Sequence, residues 1–273
     1  MINHPSKKWI WNLVLFSIGN MQAHCPIFNG GDGKDLSLRC KFPMVIGAIF
    51  AGGYGKRLQS LDPQLPKVLL TLKDNFVIMD KQLSDFKSAG LDEVYLMTGY
   101  KGEEIEKRYG DGWNGLNIHY LREQEPKGTL WAIRNLFSNT DSDILLRNGD
   151  TICDLDLKRF IGFSLSNGKL SSIVVVRMQS PFGLVSINGH NVTKFDEKPY
   201  LPYYINGGTY FLRRGIRPYL NRNYRDKGVE GSIFRSLAAM GEMAAYKYGG
   251  FWKPVDTIKD YEEIRKIYSE RNI

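Results

Sequence analysis

The sequence Ile46-Gly-Ala-Ile-Phe-Ala-Gly-Gly-Tyr-Gly-Lys-Arg-Leu58, followed by Pro66-Lys67, joins an apolar run to a glycine-rich, basic turn. The apolar run predicts a buried strand. The glycines that follow it permit positive φ angles and close backbone approach, so their N–H groups can converge on an anion. Arg57 and Lys67 bring two fixed positive charges to the same turn. The stretch therefore predicts a strand that leads into a polyphosphate-binding loop.

Two familiar glycine loops do not fit this turn. A Walker loop requires Ser or Thr after its Gly-Lys pair, but Arg57 follows Lys56, and Phe50 occupies the position of the first glycine. A dinucleotide-binding fingerprint requires a third glycine where Leu58 stands. The remaining alternative from the residues alone is an ordinary tight turn after a strand.

Composition predicts a globular α/β protein. The 273 residues include 42% hydrophobic and 24% charged residues, and the net charge is +8. A basic chain suits anionic partners, but no block of basic and aromatic residues predicts nucleic-acid binding. The cysteines and histidines lack metal-ligand spacing, so we expect neither a zinc site nor a disulfide framework, and reduced thiols predict a cytoplasmic protein. These residues are Cys25, Cys40, Cys153, His4, His24, His119 and His190.

The first 43 residues differ from the rest in composition. Lys7-Lys8 and the apolar run Trp9–Ile18 resemble a signal peptide, but the run contains Asn12 and no small-residue cleavage site follows. The run is also too short to span a bilayer, so no membrane partner is predicted. We therefore expect residues 1–43 to be an extension and residues 44–273, from Met44 onward, to form one domain.

Apolar runs alternate with amphipathic stretches after Met44. This order predicts an α/β fold, a Rossmann-like three-layer sandwich with a mixed, mostly parallel sheet and helices on both faces. Asn188-Gly189 predicts the turn of a hairpin. The predicted strands are Val45–Phe50, Val94–Thr98, Leu116–Leu121, Asp143–Asn148, Ser172–Met178, Gly183–Ile187, Val192–Glu197, Ile205–Leu212 and Ala244–Tyr248. The predicted helices are Asp80–Ala89, Glu103–Tyr109, Thr129–Phe137, Ser232–Met240 and Ile258–Tyr268.

The pattern Ala51-Gly-Gly-x-Gly-x-Arg-Leu58 with Pro66-Lys67 resembles the signature loop of the sugar-1-phosphate nucleotidylyltransferases. The resemblance implies an enzyme that converts an NTP and a sugar 1-phosphate to an NDP-sugar and pyrophosphate. It also implies that Arg57 and Lys67 are catalytic. The loop residues implied to bind the nucleotide are Ala51, Gly52, Gly53 and Gly55.

Three further segments extend the resemblance along the chain. Glu125-Pro-Lys-Gly-Thr129 is similar to the segment that reads the nucleotide base, which implies nucleotide-binding roles for Glu125, Gly128 and Thr129. Asn148-Gly-Asp150 ends a predicted strand, and Asp150 matches the family's first magnesium ligand. Asp256 lies in a segment that resembles the one carrying the second carboxylate. Two carboxylates with phosphate oxygens and water suit Mg²⁺, the cofactor that the resemblance implies.

The segment between the two carboxylates resembles the family's sugar-phosphate site. Gly183, Glu197-Lys198 and Asn206-Gly207 match its motifs in order, which implies that Lys198 meets the phosphate and that Glu197 and Asn206 bind sugar hydroxyls. One departure is Asn206-Gly-Gly in place of the commoner Asn-Ala-Gly. Any one of these motifs by itself is also compatible with a solvated turn.

Other readings remain open on the sequence alone. Asp154-Leu-Asp156 resembles the Asp-x-Asp metal motif of nucleotide-sugar-dependent glycosyltransferases, although an Asp before a helix also favours capping. A non-catalytic nucleotide-sugar sensor on the same fold is another alternative. The base-reading segment favours GTP with a mannose- or heptose-type sugar. Gly250–Thr257 instead resembles glucose-1-phosphate cytidylyltransferases, so cytidylyl or thymidylyl transfer stays open, as does the oligomeric state.

Overall fold

The computed structural model describes residues 45–270. The predicted extension at residues 1–43 therefore lies outside the described part of the chain. Among the described residues, no helix combines the length and apolar character needed to cross a membrane.

The described residues form alternating strands and helices. The strands are β1 (Val45–Ala51), β2 (Thr71–Lys73), β3 (Phe76–Val77), β4 (Glu93–Thr98), β5 (Gly112–Trp113), β6 (Leu116–Arg122), β7 (Asp143–Asn148), β8 (Thr151–Cys153), β9 (Ser171–Gln179), β10 (Leu184–Asn188), β11 (Asn191–Asp196), β12 (Tyr200–Leu212), β13 (Met243–Tyr248) and β14 (Trp252–Pro254). The helices are α1 (Ile78–Ala89), α2 (Gly102–Tyr109), α3 (Thr129–Asn139), α4 (Leu157–Ser166), α5 (Arg217–Leu220), α6 (Arg235–Ala239) and α7 (Ile258–Glu270).

The central sheet has eight strands in the order β13-β9-β12-β7-β1-β4-β6-β5. Parallel pairing joins β7, β1, β4 and β6, and it also joins β13 to β9. Strand β12 runs antiparallel to both of its neighbours, and β5 runs antiparallel to β6. The predicted mixed, mostly parallel sheet is confirmed.

Side chains of β1 alternate between two cores. Ile46 and Ala48 pack with α3 and α6 on one face, whereas Ile49 and Ala51 pack with α1, α2 and α4 on the other. This alternation is the two-residue period of a strand, with both faces buried because helices cover them. The predicted three-layer sandwich follows from this packing.

A third apolar cluster joins α7 to the loops that follow β1. Tyr261, Ile264 and Tyr268 of α7 pack against Leu58 and Leu72, among other residues. Strands β8 and β14, which sequence periodicity did not predict, form a two-stranded antiparallel sheet next to this cluster. The cluster fixes the C-terminal segment against the loop region of β1.

Two local predictions can be compared directly with the structure. The hairpin at Asn188-Gly189 is present as β10 and β11. The single helix expected over Ser232–Met240 is divided, because a π-helical turn at Glu230–Phe234 precedes α6.

Candidate active site

The glycine-rich turn after β1 closes tightly around Lys67. Gly55 has φ 56°, in the left-handed region, and a short 3₁₀ helix at Lys56–Leu58 follows it. A Cβ atom at Gly55 would lie 3.0 Å from the Lys67 Cβ. A glycine is therefore required at this position both for its φ angle and for the close approach of Lys67.

Lys67 bridges the two acidic residues singled out in the sequence. Its Nζ atom lies 3.0 Å from Asp150 Oδ2 and 3.0 Å from Asp256 Oδ1. Arg57 adds a second cation, with its Nη2 atom 3.6 Å from the same Asp256 oxygen. Only 12% of the Lys67 side chain is exposed, compared with 69% for Arg57. The site is thus a compact cluster of two carboxylates around a mostly buried ammonium group.

The pairing of β8 with β14 brings Asp150 and Asp256 together. In this antiparallel pair Pro254 lies opposite Thr151, and the Val255 N–H donates to the Asp150 carbonyl oxygen at 2.8 Å. Asp150 precedes the first of these strands and Asp256 follows the second. Because antiparallel strands place the start of one beside the end of the other, the two carboxylates meet at one end of the ladder.

A cavity of about 510 Å³ lies over this cluster. Ten of the residues predicted for the site line it, namely Ala51, Gly52, Gly53, Gly55, Arg57, Lys67, Gly128, Thr129, Asp150 and Asp256. The remaining six predicted residues do not line it, namely Glu125, Gly183, Glu197, Lys198, Asn206 and Gly207. The structure therefore brings the predicted phosphate and metal residues into one cavity with Gly128 and Thr129 of the predicted base-binding segment. The third residue of that segment, Glu125, and all the predicted sugar residues do not line it.

Gly128 and Thr129 form the wall of the cavity where α3 begins. Gly128 has φ 91°, and a Cβ atom there would lie 2.6 Å from the Lys227 carbonyl oxygen. The Thr129 hydroxyl oxygen accepts a hydrogen bond from the Val229 N–H at 2.9 Å. Thr129 thus has a structural role, since it ties the start of α3 to the loop before the π-helical turn.

Glu123 is the acidic residue of this loop that lines the cavity, whereas Glu125 of the same loop is exposed and does not line it. Glu123 is half-buried, and its Oε2 atom accepts from the Lys127 N–H at 3.3 Å. Burial raises the pKa of the Glu123 carboxyl, although this hydrogen bond acts in the opposite direction. Both acids stand on the same loop two positions apart, and nothing in the sequence separates them.

Glu230 is a second cavity residue that sequence reasoning missed. It begins the π-helical turn at Glu230–Phe234, and such turns are frequent at functional sites. Burial raises the pKa of the Tyr210 hydroxyl, and the Glu230 and Asp150 carboxylates raise it further. Glu230 and Asp150, which both line the cavity, thus belong to different elements of the fold.

The predicted sugar residues Asn206 and Gly207 lie on β12 next to the strand pair that carries the carboxylates. The Trp252 Nε1–H donates to the Gly207 carbonyl oxygen at 2.9 Å. Asn206 donates through Nδ2 to the Tyr210 hydroxyl at 2.7 Å, and its Oδ1 accepts from the Gly208 N–H at 2.9 Å. Both polar ends of the Asn206 amide are thus engaged within the protein.

Gly183, Glu197 and Lys198 lie at the base of the β10–β11 hairpin. A Cβ atom at Gly183 would lie 3.0 Å from a Glu197 carboxylate oxygen, so these residues are neighbours. Lys198 has φ 46°, a left-handed conformation that is uncommon for lysine and that clusters at functional sites. Its Nζ atom lies 3.9 Å from Glu197 Oε1, and both side chains are exposed. Their roles stay predictions.

Helix α1 holds the turn that carries Asp150. The fully buried Gln82 side chain donates through Nε2 to the Asn148 carbonyl oxygen at 2.9 Å and to the Thr151 carbonyl oxygen at 3.2 Å. Next to it, the buried Arg147 guanidinium pairs with Asp85 at 2.8 Å. Gln82 and Asp85 of α1 therefore hold the segment around Asp150 in place through polar contacts.

The carboxylate pair is suited to a divalent cation. Asp150 and Asp256 converge on one point, and both side chains are partly exposed to the cavity. Residues 45–270 contain no cluster of three or more His, Cys, Asp or Glu side chains of the kind that encloses a metal by protein ligands alone. One or two carboxylates completed by substrate phosphates are the usual Mg²⁺ arrangement. The residues present therefore fit a magnesium ion that binds together with its substrate.

The chain is similar in sequence to three curated guanylyltransferases. Mannose-1-phosphate guanyltransferase of Gibberella zeae is 30% identical over 229 residues, which cover 79% of this chain and 62% of the relative. The mannose-1-phosphate guanylyltransferase catalytic subunit beta of Xenopus tropicalis is 29% identical over 225 residues, which cover 78% and 61% respectively. The D-glycero-alpha-D-manno-heptose 1-phosphate guanylyltransferase of Aneurinibacillus thermoaerophilus is 34% identical over 172 residues, which cover 62% and 74%. The chain thus spans about three fifths of the mannose-1-phosphate relatives.

Solved structures share the fold of this chain, and a family model assigns its family. A putative glucose-1-phosphate thymidylyltransferase from Bacillus anthracis aligns with a TM-score of 0.70 and 18% identity, covering 84% of this chain and 97% of the other. HddC from Yersinia pseudotuberculosis complexed with GMP-PN aligns with a TM-score of 0.61 and 22% identity, covering 82% and 99%. Residues 46–271 match the family model described as nucleotidyl transferase, and the chain therefore belongs to that family.

Proposed function

We propose that this protein is a sugar-1-phosphate nucleotidylyltransferase. The observation that carries the proposal is the cluster of Lys67, Asp150 and Asp256 at the wall of a cavity that the glycine-rich turn also lines. The basic side chains and backbone N–H groups of the cavity can bind a triphosphate. Its pair of carboxylates can bind a divalent cation. Membership in the nucleotidyl transferase family and the names of the relatives support the same reaction class.

The reaction needs positioning and neutralisation of charge rather than a protein base. A sugar 1-phosphate loses its second proton with a pKa of about 6, so an oxygen of its phosphate is already a nucleophile near neutral pH. That oxygen attacks the α-phosphorus of the NTP, the new P–O bond forms, and the bond to pyrophosphate breaks. Lys67 and Arg57 offset the charge that accumulates on the phosphates, which is the main task of the enzyme in such transfers.

Asp150 and Asp256 are the residues that would hold the magnesium ion. When bound, the ion supplies charge stabilisation to the reacting phosphates. The carboxylates themselves keep a fixed position because the β8–β14 ladder joins the segments that carry them. Lys198, at its left-handed position, is proposed to meet the phosphate of the sugar, and Glu197 and Asn206 its hydroxyls.

We infer that the nucleotide is GTP and that the sugar is of the mannose or heptose type. Guanine presents N–H donors on its edge, and the Glu123 carboxylate in the cavity wall is an acceptor two residues before the predicted base-binding segment. The names of the mannose- and heptose-1-phosphate guanylyltransferases point the same way. Free, buried Cys153 is consistent with the cytoplasm as the place of the reaction.

The glycosyltransferase alternative is weakened by the local structure of its motif. Asp156 caps helix α4, since its carboxylate accepts a hydrogen bond from the Arg159 N–H at 3.1 Å. The Asp-x-Asp pattern is therefore explained in part by capping, as the sequence indicated. Cytidylyl and thymidylyl transfer use the same site chemistry and are separated only by experiment.

The test is pyrophosphate release in a matrix of nucleotides and sugars. GTP, CTP, dTTP, UTP and ATP are each mixed with Mg²⁺ and mannose, heptose or glucose 1-phosphates, and the pyrophosphate and NDP-sugar formed are measured. We expect release with GTP and a manno-configured sugar phosphate. Exclusive use of CTP or dTTP would contradict the substrate assignment and leave the reaction class intact. No pyrophosphate in any combination would contradict the reaction class itself.

A further inference from the structure

The hairpin β10–β11 and the adjoining ends of β9 and β12 form a ribbon that projects from the sheet, here called the β-arm (residues 177–204). Within the sheet, β13 pairs with β9 over Ser171–Val176, and β7 pairs with β12 over Thr209–Leu212. Beyond these points the two strands of the arm pair with each other alone among the described residues. The arm therefore has two unpaired edges.

Exposed apolar side chains are concentrated on the β-arm. Of the fourteen large hydrophobic side chains that are exposed in residues 45–270, ten lie between Met178 and Tyr204. Phe182, Tyr203 and Ile187 are 74%, 72% and 71% exposed. Single exposed apolar residues are normal, but a concentration of this size on one segment indicates an interaction surface.

Four apolar side chains lie on one face of the hairpin. Val185 lies opposite Phe195, and Ile187 lies opposite Val192 across the strand pair. Opposite residues share a face, and so do residues two apart on one strand, so these four side chains form one surface. An isolated two-stranded hairpin is marginally stable in water unless its apolar face packs on something. A partner that packs on this face would therefore stabilise the arm.

The exposed apolar area of the arm, taken over both of its faces, is comparable to the area that one protein buries in a stable interface. The aromatic side chains of the arm are Phe182, Phe195, Tyr200, Tyr203 and Tyr204. An aromatic side chain carries about 150–250 Å², so at their exposed fractions these five leave roughly 500–800 Å² in solvent. The aliphatic residues of the arm add to this. A stable complex buries about 800 Å² on each partner.

The charge of the arm favours a second copy of the same chain as the partner. The chain as a whole carries a net charge of +8, whereas the arm has nearly balanced charges. Its charged residues are Arg177, Lys194, Lys198, Asp196 and Glu197. Two arms can therefore meet without opposing excess charge, and an anionic partner gains little from this surface. A two-fold interface uses the same patch on both copies, and unpaired strand edges are suited to such self-pairing.

We propose that the protein is a homodimer in which the β-arms of two copies pack against each other. The dimer buries the apolar face of the hairpin and thereby fixes the arm. Gly183, Glu197 and Lys198 lie at the base of the arm, so the dimer also holds the predicted sugar-phosphate residues in place. This last consequence rests on the proposed function, whereas the dimer itself does not.

The test compares single lysine substitutions by sedimentation velocity over a concentration series of the full chain. The arm variants are Ile187→Lys and Val192→Lys, and the matched control is Met240→Lys, which is an exposed apolar residue outside the arm. We expect the unsubstituted protein and the Met240→Lys variant to give a sedimentation-derived mass of two chains, that is, a dimer. Each arm variant is expected to weaken dimerisation at least about tenfold, because a charge is placed in an apolar interface.

Thermal unfolding and hydrogen exchange distinguish a loss of dimerisation from a loss of folding. Substitutions at exposed positions cost little stability, so the cores of the arm variants are expected to unfold like that of the control. The arm amides should exchange slowly in the dimer and quickly in the variants. A full chain that stays monomeric, or a dimer that survives both arm substitutions, overturns the proposal. So does a full-length monomer that dimerises only when residues 1–43 are removed, since the extension would then be what covers the arm.

Discussion

The ammonium group of Lys67 donates a hydrogen bond to the Asp150 carboxylate across 3.0 Å, although 83 positions separate the two residues. The same nitrogen lies 3.0 Å from Asp256. Lys67 therefore stands at the point on which the two proposed magnesium ligands converge. A cation that binds both carboxylates has to share them with this ammonium group or displace it.

We predict that Lys67→Met tightens divalent-cation binding in the absence of nucleotide while it lowers turnover. Removal of a competing positive charge at hydrogen-bond distance is expected to improve Mn²⁺ affinity about tenfold, as a Coulombic order of magnitude near a protein surface. Mn²⁺ titration followed by electron paramagnetic resonance measures this affinity directly. Lys56→Met, a lysine of the same cavity wall, is the control and should leave the affinity unchanged. Equal affinities in all three proteins would show that Lys67 does not compete for the carboxylates.

The carboxylates themselves give the second prediction. Asp150→Asn and Asp256→Asn are each expected to lower turnover at least about a hundredfold, because the metal contributes several kcal/mol of charge stabilisation in the transition state. Both positions are partly exposed, so the thermal unfolding temperature should change little. Turnover is measured at saturating Mg²⁺. A variant that retains near-normal turnover removes its residue from the mechanism.

The layered fold could be predicted from the sequence because its signals are local and long. Apolar runs such as Val45–Ala51 and Asp143–Asn148 and the amphipathic helix Ile78–Ala89 each carry their own periodicity. The ten cavity residues were found through a resemblance that depends on ordered motifs. The two-stranded pair of β8 and β14 has three residues in each strand, too few for any period, and its partners lie about a hundred positions apart.

Contacts between distant segments account for what sequence reasoning missed in the site. Glu123 and Glu125 have the same chemistry on one loop, and only the packing of the loop decides which of them lines the cavity. Glu230 reaches the cavity because Val229 is hydrogen-bonded to Thr129, which precedes it by 100 positions. Gln82 is a polar residue within the predicted helix Asp80–Ala89, and the structure shows that it is fully buried. Each of these placements depends on long-range pairing that no local pattern encodes.

Gln82 provides the third prediction, as a positioning residue for Asp150. Its amide donates to carbonyl groups on both sides of Asp150, so Gln82→Leu should loosen the turn without removing any side chain of the site. We expect the Mg²⁺ concentration for half-maximal activity to rise about fivefold or more, with the Michaelis constant for the sugar phosphate unchanged. A shift of this size corresponds to about 1 kcal/mol, the usual net contribution of a hydrogen bond.

The control for Gln82 is another buried polar contact of the same helix. The Tyr109 hydroxyl donates to Asp80 of α1 at 2.7 Å, away from the Asp150 turn. Tyr109→Phe should lower the unfolding temperature as Gln82→Leu does, but it should leave the Mg²⁺ dependence unchanged. If both variants shift the Mg²⁺ dependence equally, the shift is caused by a general loss of stability of α1. Gln82 then has no specific role in positioning Asp150.

The fourth prediction concerns the beginning of the domain. A chain that starts at Met44 is expected to fold and to show the same kinetics as the full chain. Residues 1–43 hold five Lys or Arg and two Asp or Glu, so the remaining residues keep a net charge of +5. Phosphate binding therefore does not depend on the extension. Thermal unfolding and pyrophosphate release test this directly, and an insoluble or inactive product would show that the domain needs residues before Met44.

The last prediction is that Glu123 contributes to the choice of base. Glu123→Gln keeps the shape of the side chain but exchanges one carboxylate acceptor for an N–H₂ donor, which opposes the N–H donors of guanine. We expect kcat/KM for GTP to fall about tenfold or more, because an unpaired polar group in a base site is costly, while ATP and CTP are affected less. The matched control is Glu125→Gln on the same loop, where the exposed side chain lies outside the cavity wall.

A stability measurement separates this role from a general effect of the substitution. Burial raises the pKa of the Glu123 carboxyl, so the unfolded chain releases this proton at lower pH than the folded protein. The folded state then binds more protons in the interval between the two pKa values, and the free energy of unfolding declines as the pH rises through it. Glu123→Gln should remove that decline, while Glu125→Gln keeps it. If Glu123→Gln flattens the pH dependence of stability but leaves the preference for GTP unchanged, the carboxylate is buried in the wall without contacting the base.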